Sequence, residues 1–165
     1  ALADRMPDPI STDPSWYECK FCDAHEFCHK TKLTKHVNCR TCAHSTAEES
    51  GEWSCALHKS SGIPVDFQHE GCSRHALHPD LVPWEMGENT STEEAVYIIN
   101  GKPIRNGDPG EHVYASTEII ANPDAVGHEL VEEVRRTFPG AKVVESIEDT
   151  IEPDLHDDWG DRDAS

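Results

Sequence analysis

Residues 17–42 read YECKFCDAHEFCHKTKLTKHVNCRTC, and in these 26 positions stand five cysteines and three histidines. Two more cysteines, Cys55 and Cys72, follow before the midpoint of the chain. Seven is an odd number, two pairs have C-x2-C spacing, and the sequence shows no signal peptide and no apolar run of membrane length. Such usage points to metal ligation in a reducing cytoplasm rather than to a secreted disulfide framework. Composition agrees: of 165 residues 36% are apolar and 7% aromatic, which leaves no large core. Modules that bury little apolar surface commonly add a staple.

Spacing says how the ligands divide. Cys39-x2-Cys42, Cys55-x2-His58 and Cys72-x2-His75 offer six donors to a metal that needs four. Zinc on Cys39, Cys42, Cys55 and Cys72 is the expected arrangement, with His58 or His75 as substitute ligand or outer-shell partner. Packing alone rarely pairs thiols in this way, and neither C-x2-C lies between a strand and a helix as a thioredoxin-like redox pair does. The earlier motif, Cys19-x2-Cys22-x5-Cys28, is one ligand short. Either His25 or His29 completes a zinc site, or a cysteine far upstream in a longer chain completes an iron–sulfur cluster. Trp16, Tyr17, Phe21, Phe27 and Trp53 interleave with these ligands. They could stack on bases, but a miniature core packed around a metal is the expectation here.

Charge limits the partners. Residues 1–80 hold 12 acids and 8 bases, whereas 81–165 hold 20 acids and 6 bases, for a formal net charge of −18. The second half repels phosphate. One basic cluster, Lys30, Lys32, Lys35 and Arg40, is able to meet a nucleic-acid backbone, and a solvated linker balancing nearby acids explains it equally well. Direct DNA binding is therefore expected to be weak, and no membrane partner is expected.

The chain divides into four stretches. Residues 1–16, rich in Pro, Asp and Ser, read as a linker or arm. Residues 17–84 form the Cys/His-rich module, with the first motif in 17–30 and the second in 37–80, and little regular secondary structure. In 94–146 the pattern becomes ordinary. AVYIINGKPIR sets β-formers on either side of Asn100-Gly101, the signature of a type I′ hairpin. Asn106-Gly107 marks another turn, and EHVYAS (111–116) reads as a short strand. Asn122 is then expected to cap a helix with Pro123 at its first position and Val126, Leu130, Val134 and Phe138 along one stripe, widened by Val131 and ended by Pro139-Gly140. AKVVES reads as a last strand, which makes a small ββαβ-like module with capacity for a protein partner. Residues 147–165 are acidic and expected to be disordered. The fold class is α+β.

WYECKFCDAHEFCH resembles the C-terminal cysteine motif of nucleases with the PD-(D/E)XK fold, in the RecB-like branch that includes AddB and the CRISPR adaptation exonucleases. In that family three cysteines at C-x2-C-x5-C spacing join one distant upstream cysteine around a [4Fe-4S] cluster, and Cys19, Cys22 and Cys28 match the spacing. The run VNCRTCAHS…GEWSCALHK…GCSRHALHPDLVPWE is similar to an extension in phage and prophage members. The resemblance covers roughly 15–85 well and the hairpin region to about 120 weakly. It implies a Mg²⁺-dependent DNA exonuclease in the cytoplasm of a bacterial host. The family's Asp…(Asp/Glu)-x-Lys core is missing, however, and Glu18-Cys19-Lys20 has its spelling only by coincidence. The expectation is a non-catalytic C-terminal portion, with the Mg²⁺-binding nuclease core and the fourth cluster cysteine upstream in the same longer polypeptide and DNA reached through that core. The opening ALADRMPDPI lacks an initiator methionine, which a segment of a longer protein or processing would produce. The alternative is a free-standing zinc-binding adaptor. No Gly-rich phosphate loop, G-x-S-x-G elbow or H-E-x-x-H helix appears, and His128 and Glu129 belong on a helix surface.

Overall fold

The structure, a computed structural model, describes residue 8 and residues 10–89 and 91–144. The expected acidic tail, 147–165, lies outside the described residues, as do 1–7 and 9. What is described mixes short helices with two small sheets, an α+β arrangement.

Regular structure in the cysteine-rich half is sparse. Helices α1 (Tyr17–Lys20) and α2 (His25–Cys28) are single turns that carry the first motif. Lys30, at φ 54°, turns the chain out of α2, and the Thr34 N–H then bonds the Leu81 carbonyl at 3.0 Å. A 3₁₀ turn at Cys39–Thr41 is started by Asn38, whose side chain accepts the Arg40 N–H at 2.9 Å. Strands β1 (Ser45–Ala47) and β2 (Trp53–Cys55) pair antiparallel. Helix α3 (Val65–Glu70) stops at Gly71, where φ is 71° and a Cβ would stand 2.5 Å from the Val37 carbonyl oxygen. A residue without a Cβ is required for two backbones to pass so closely. This approach sets Cys72 near the segment that leads into Cys39.

The second half opens with the expected hairpin. Strands β3 (Ala95–Ile99) and β4 (Lys102–Asn106) pair in register from Ala95↔Asn106 to Ile99↔Lys102, and Asn100 and Gly101 sit at φ 51° and 75°, as a type I′ turn demands. β5 (Val113–Tyr114) joins β4 in parallel over two residues, the connection from 107 to 112 being too short for a longer parallel ladder.

Two helices replace the single one expected from Asn122 to Phe138. α4 (Ser116–Ala121) starts earlier, with the Glu118 carboxylate accepting the Ala115 N–H at 2.9 Å. Asn122 ends it instead of capping a new one. α5 (Glu129–Thr137) begins after His128, whose ring nitrogen accepts the Leu130 N–H at 3.3 Å. Between them Gly127 stands at φ 71°, so tightly packed that a Cβ would lie 2.5 Å from Ile104 Cδ1. This left-handed residue breaks the period linking Val126 to Leu130. Val126 is buried, while Leu130, Val134 and Phe138 face solvent and Val131 packs against the core. The expected last strand is also not formed: residues 141–144 have no regular structure, and 145–146 lie outside the described residues.

One core spans the boundary drawn at 84–94. Ala43, Ala76, Leu77 and Val82 from the cysteine-rich half pack with Ala95, Tyr97, Ile99, Ile104, Tyr114, Ile119 and Val126. Polar bonds sew the same seam. The Tyr97 hydroxyl donates to the Leu77 carbonyl at 2.5 Å, and the Leu77 N–H donates to Asn106 Oδ1 at 2.6 Å. The stretches 37–80 and 94–131 therefore fold on one another, because neither owns enough apolar surface to close a core alone.

Candidate metal centre

Three stretches of chain meet around a cavity of about 420 Å³ whose wall includes Cys39, Cys42, Cys55 and Cys72 together with His44, His58 and His75. The 3₁₀ turn presents Cys39 and Cys42, with the Cys42 N–H bonded back to the Cys39 carbonyl at 3.3 Å. The end of β2 supplies Cys55, and the chain after Gly71 supplies Cys72. The four thiols predicted from spacing are thus gathered on one cavity. Among the described residues, no group of three or more His, Cys, Asp or Glu side chains stands at metal-holding distance. The thiols line a wall and do not yet converge on a point.

Electrostatics test whether a cation fits. Burial pushes the Cys39 thiol up, a hydrogen bond from Ser45 opposes this, and the neighbouring thiols of Cys72 and Cys55 reinforce it. Burial likewise pushes Cys42 up, against backbone N–H donors from His44 and Ala76. At Cys39 and Cys42 burial first, and then repulsion from the neighbouring thiols, disfavours the thiolate. A divalent cation reverses that repulsion, and N–H groups aimed at sulfur are the outer-shell support that a metal thiolate uses. The donor set fits zinc.

The histidines differ sharply. His75 is fully buried and uses both ring nitrogens, Nδ1 at 2.7 Å from Ser116 Oγ and Nε2 at 3.2 Å from Thr41 Oγ1. It is engaged as a structural tie between the two halves, which removes it from the candidate ligands. Burial, the largest cause, brings its pKa down to about 4. His58 is exposed, with Nε2 3.8 Å from Cys72 Sγ. His44, which spacing did not single out, is 4% exposed and its Nε2 is buried with no hydrogen-bond partner. Burial is also what lowers its pKa below the ordinary histidine range. Its signal in the sequence was the short C-x2-C-x-H run at 39–44.

At the first motif Cys19 is buried, Cys28 half-buried and Cys22 exposed. His25 Nε2 lies 3.0 Å from the Pro14 carbonyl, whereas His29 Nε2 is buried without a partner. The aromatics around it do not form the miniature core that was expected, since Trp16, Tyr17 and Phe21 are all exposed. The basic cluster is partly spent within the protein. Lys30 Nζ donates to the Pro79 carbonyl at 2.7 Å, and Lys32 pairs with Glu26 at 2.7 Å. Lys35 and Arg40 are exposed. His128 and Glu129 open α5, as its N-cap and first residue. Among the described residues no helix is long and apolar enough to cross a membrane.

Comparison of the chain with protein-family models, with curated proteins and with solved structures finds no match.

Proposed function

We propose that this chain is a zinc-stapled supporting module with no catalytic site of its own. The observation that carries the reading is the shared cavity, on which thiols from the 3₁₀ turn, the end of β2 and the chain beyond Gly71 are brought together. Cys39, Cys42 and Cys55 supply three thiolates, and Cys72, His58 and His44 compete for the fourth position. Zinc bound there adds no chemistry beyond holding three chain segments that share little apolar surface. The first motif is proposed as a second centre, either zinc with His25 or His29 or an iron–sulfur cluster closed by a cysteine outside this chain.

The C-x2-C-x5-C resemblance alone supports the wider setting: the C-terminal portion of a phage-type, Mg²⁺-dependent DNA exonuclease in the bacterial cytoplasm, stapling a core that lies upstream. A free-standing adaptor is the second reading, favoured by the exposure of Leu130, Val134 and Phe138 on α5. Metal analysis of the purified chain should find at least one equivalent of zinc, and a strong chelator should abolish its cooperative unfolding. A zinc-free chain whose unfolding is unchanged by chelator refutes the staple. The reading frame upstream of Ala1 separates the two settings: a D…(D/E)-x-K core there supports the nuclease, and a start codon directly before Ala1 supports the adaptor.

A further inference from the structure

We propose that His44, through Nε2, is the fourth ligand of the cavity's metal ion, and that Cys72 is left on the rim opposite His58. This assignment rests on the zinc reading given above and refines it. Depth comes first. Cys42, Cys55 and His44 are 7%, 8% and 4% exposed, whereas Cys72 and His58 are both exposed. A structural zinc site is closed, with its ligand atoms turned away from water, and the buried residues of this wall include Cys42, Cys55 and His44, with Cys39 half-buried.

Hydrogen bonding comes second. His44 lies on the cavity wall, its Nε2 buried and with no hydrogen-bond partner. Buried polar atoms are rarely left in that state without a function. His75, the alternative on the same wall, has no nitrogen to give. Cys72 Sγ, by contrast, already faces His58 Nε2 at 3.8 Å. Three thiolates and one neutral imidazole around Zn²⁺ leave a net charge of −1 in a partly buried site. Four thiolates would leave −2, at a higher desolvation cost.

The full chain loaded with the NMR-active isotope of cadmium tests this directly, because scalar coupling between metal and ligand protons names each ligand. The expected spectrum couples cadmium to the Cβ protons of Cys39, Cys42 and Cys55 and to the His44 ring. Coupling to Cys72 Cβ protons with none to His44 overturns the assignment and leaves the zinc reading intact. Failure of the chain to take up cadmium or zinc at these cysteines overturns both. Competition titrations with a chromogenic zinc chelator give the second measure. Cys72→Ser should bind zinc within threefold of wild type, and His44→Ala should bind at least tenfold more weakly. The reverse order refutes the assignment.

Discussion

Replacing Arg135 by Met should cost about 3–5 kcal/mol of stability, an uncommonly large effect for a residue on an outer helix. Arg135 Nη1 meets Glu118 Oε1 at 2.9 Å, with side chains 8% and 3% exposed. Its Nη2 donates to the carbonyls of Gly110 at 2.7 Å and Val113 at 2.9 Å, and the guanidinium lies 4.2 Å from the Tyr114 ring centroid. The Glu118 carboxylate also accepts N–H bonds from Ala115 at 2.9 Å and Val143 at 3.0 Å. Methionine keeps most of the volume and apolar stem but strands a buried carboxylate, and that desolvated charge is the larger part of the loss. Apolar packing cannot compensate, because along α5 Leu130 and Val134 are exposed and Val131 alone reaches the core. Urea unfolding at fixed zinc concentration measures the effect. A companion Glu118→Gln variant and the double variant complete a cycle whose coupling should be about 2 kcal/mol, toward the upper end of the range for groups in one network. If Arg135→Met costs under about 1 kcal/mol, as exposed ion pairs do, the network does not anchor α5 and the reasoning fails.

Gly127→Ala should destabilise by about 2–4 kcal/mol in thermal unfolding, since it combines a left-handed φ of 71° with a Cβ 2.5 Å from Ile104 Cδ1. Gly101→Ala, at φ 75° with nothing within 4 Å, should cost only about 1–2 kcal/mol; equal losses would show that the packing against Ile104 is not tight. Acid should weaken the fold through His75. Its pKa falls from 6.5 to about 4 on folding, so the stability it contributes is complete above pH 6.5 and lost as pH drops toward 4, by about 3 kcal/mol. Unfolding across that window should show a shallower acid limb for a folded His75→Gln variant, and identical limbs would count against the assignment. Finally, the purified chain should cut no DNA with Mg²⁺ or Mn²⁺, as hydrolysis needs carboxylates fixed on a rigid core. Metal-dependent cleavage abolished by a substitution within the chain would require an active site at present unseen.

How much of this was legible in the sequence depends on how local each determinant is. The β3–β4 hairpin was legible because Asn100-Gly101 fixes its turn from two residues. Spacing accounts for Cys39 lying beside Cys42, whereas the arrival of Cys55 and Cys72 on the same cavity wall depends on β2 and on the turn at Gly71. The break at Gly127 was not legible, since it depends on Ile104 arriving from β4, and the stripe from Val126 to Phe138 read as continuous without that knowledge. The shared core was hidden for the same reason. Nothing in GCSRHALH announces that His75 reaches Ser116 or that the Leu77 N–H is taken by Asn106. His44 does not stand out in the sequence, because a single imidazole beside a cysteine pair is noticed only once Nε2 is seen to be buried without a hydrogen-bond partner.

The cysteine-lined wall and the core also share backbone, and this would tie the proposed staple to the fold. Cys42 forms an isolated antiparallel bridge with Leu77, and the Ala43 N–H bonds the Ala76 carbonyl at 2.8 Å. Leu77 in turn receives the Tyr97 hydroxyl on its carbonyl and gives its N–H to Asn106. A cation that draws Cys42 toward Cys39 and Cys55 therefore fixes the strand segment on which the β3–β4 hairpin rests. Release of the metal should not stay local. It frees the 39–45 segment, then Ala76–Leu77, and with them the buried ends of Tyr97 and Asn106. Amide exchange followed through chelation should lose protection at Ala43 and Leu77 first and at Tyr97 next, while α5, held by Arg135 on Glu118, should keep its protection longest.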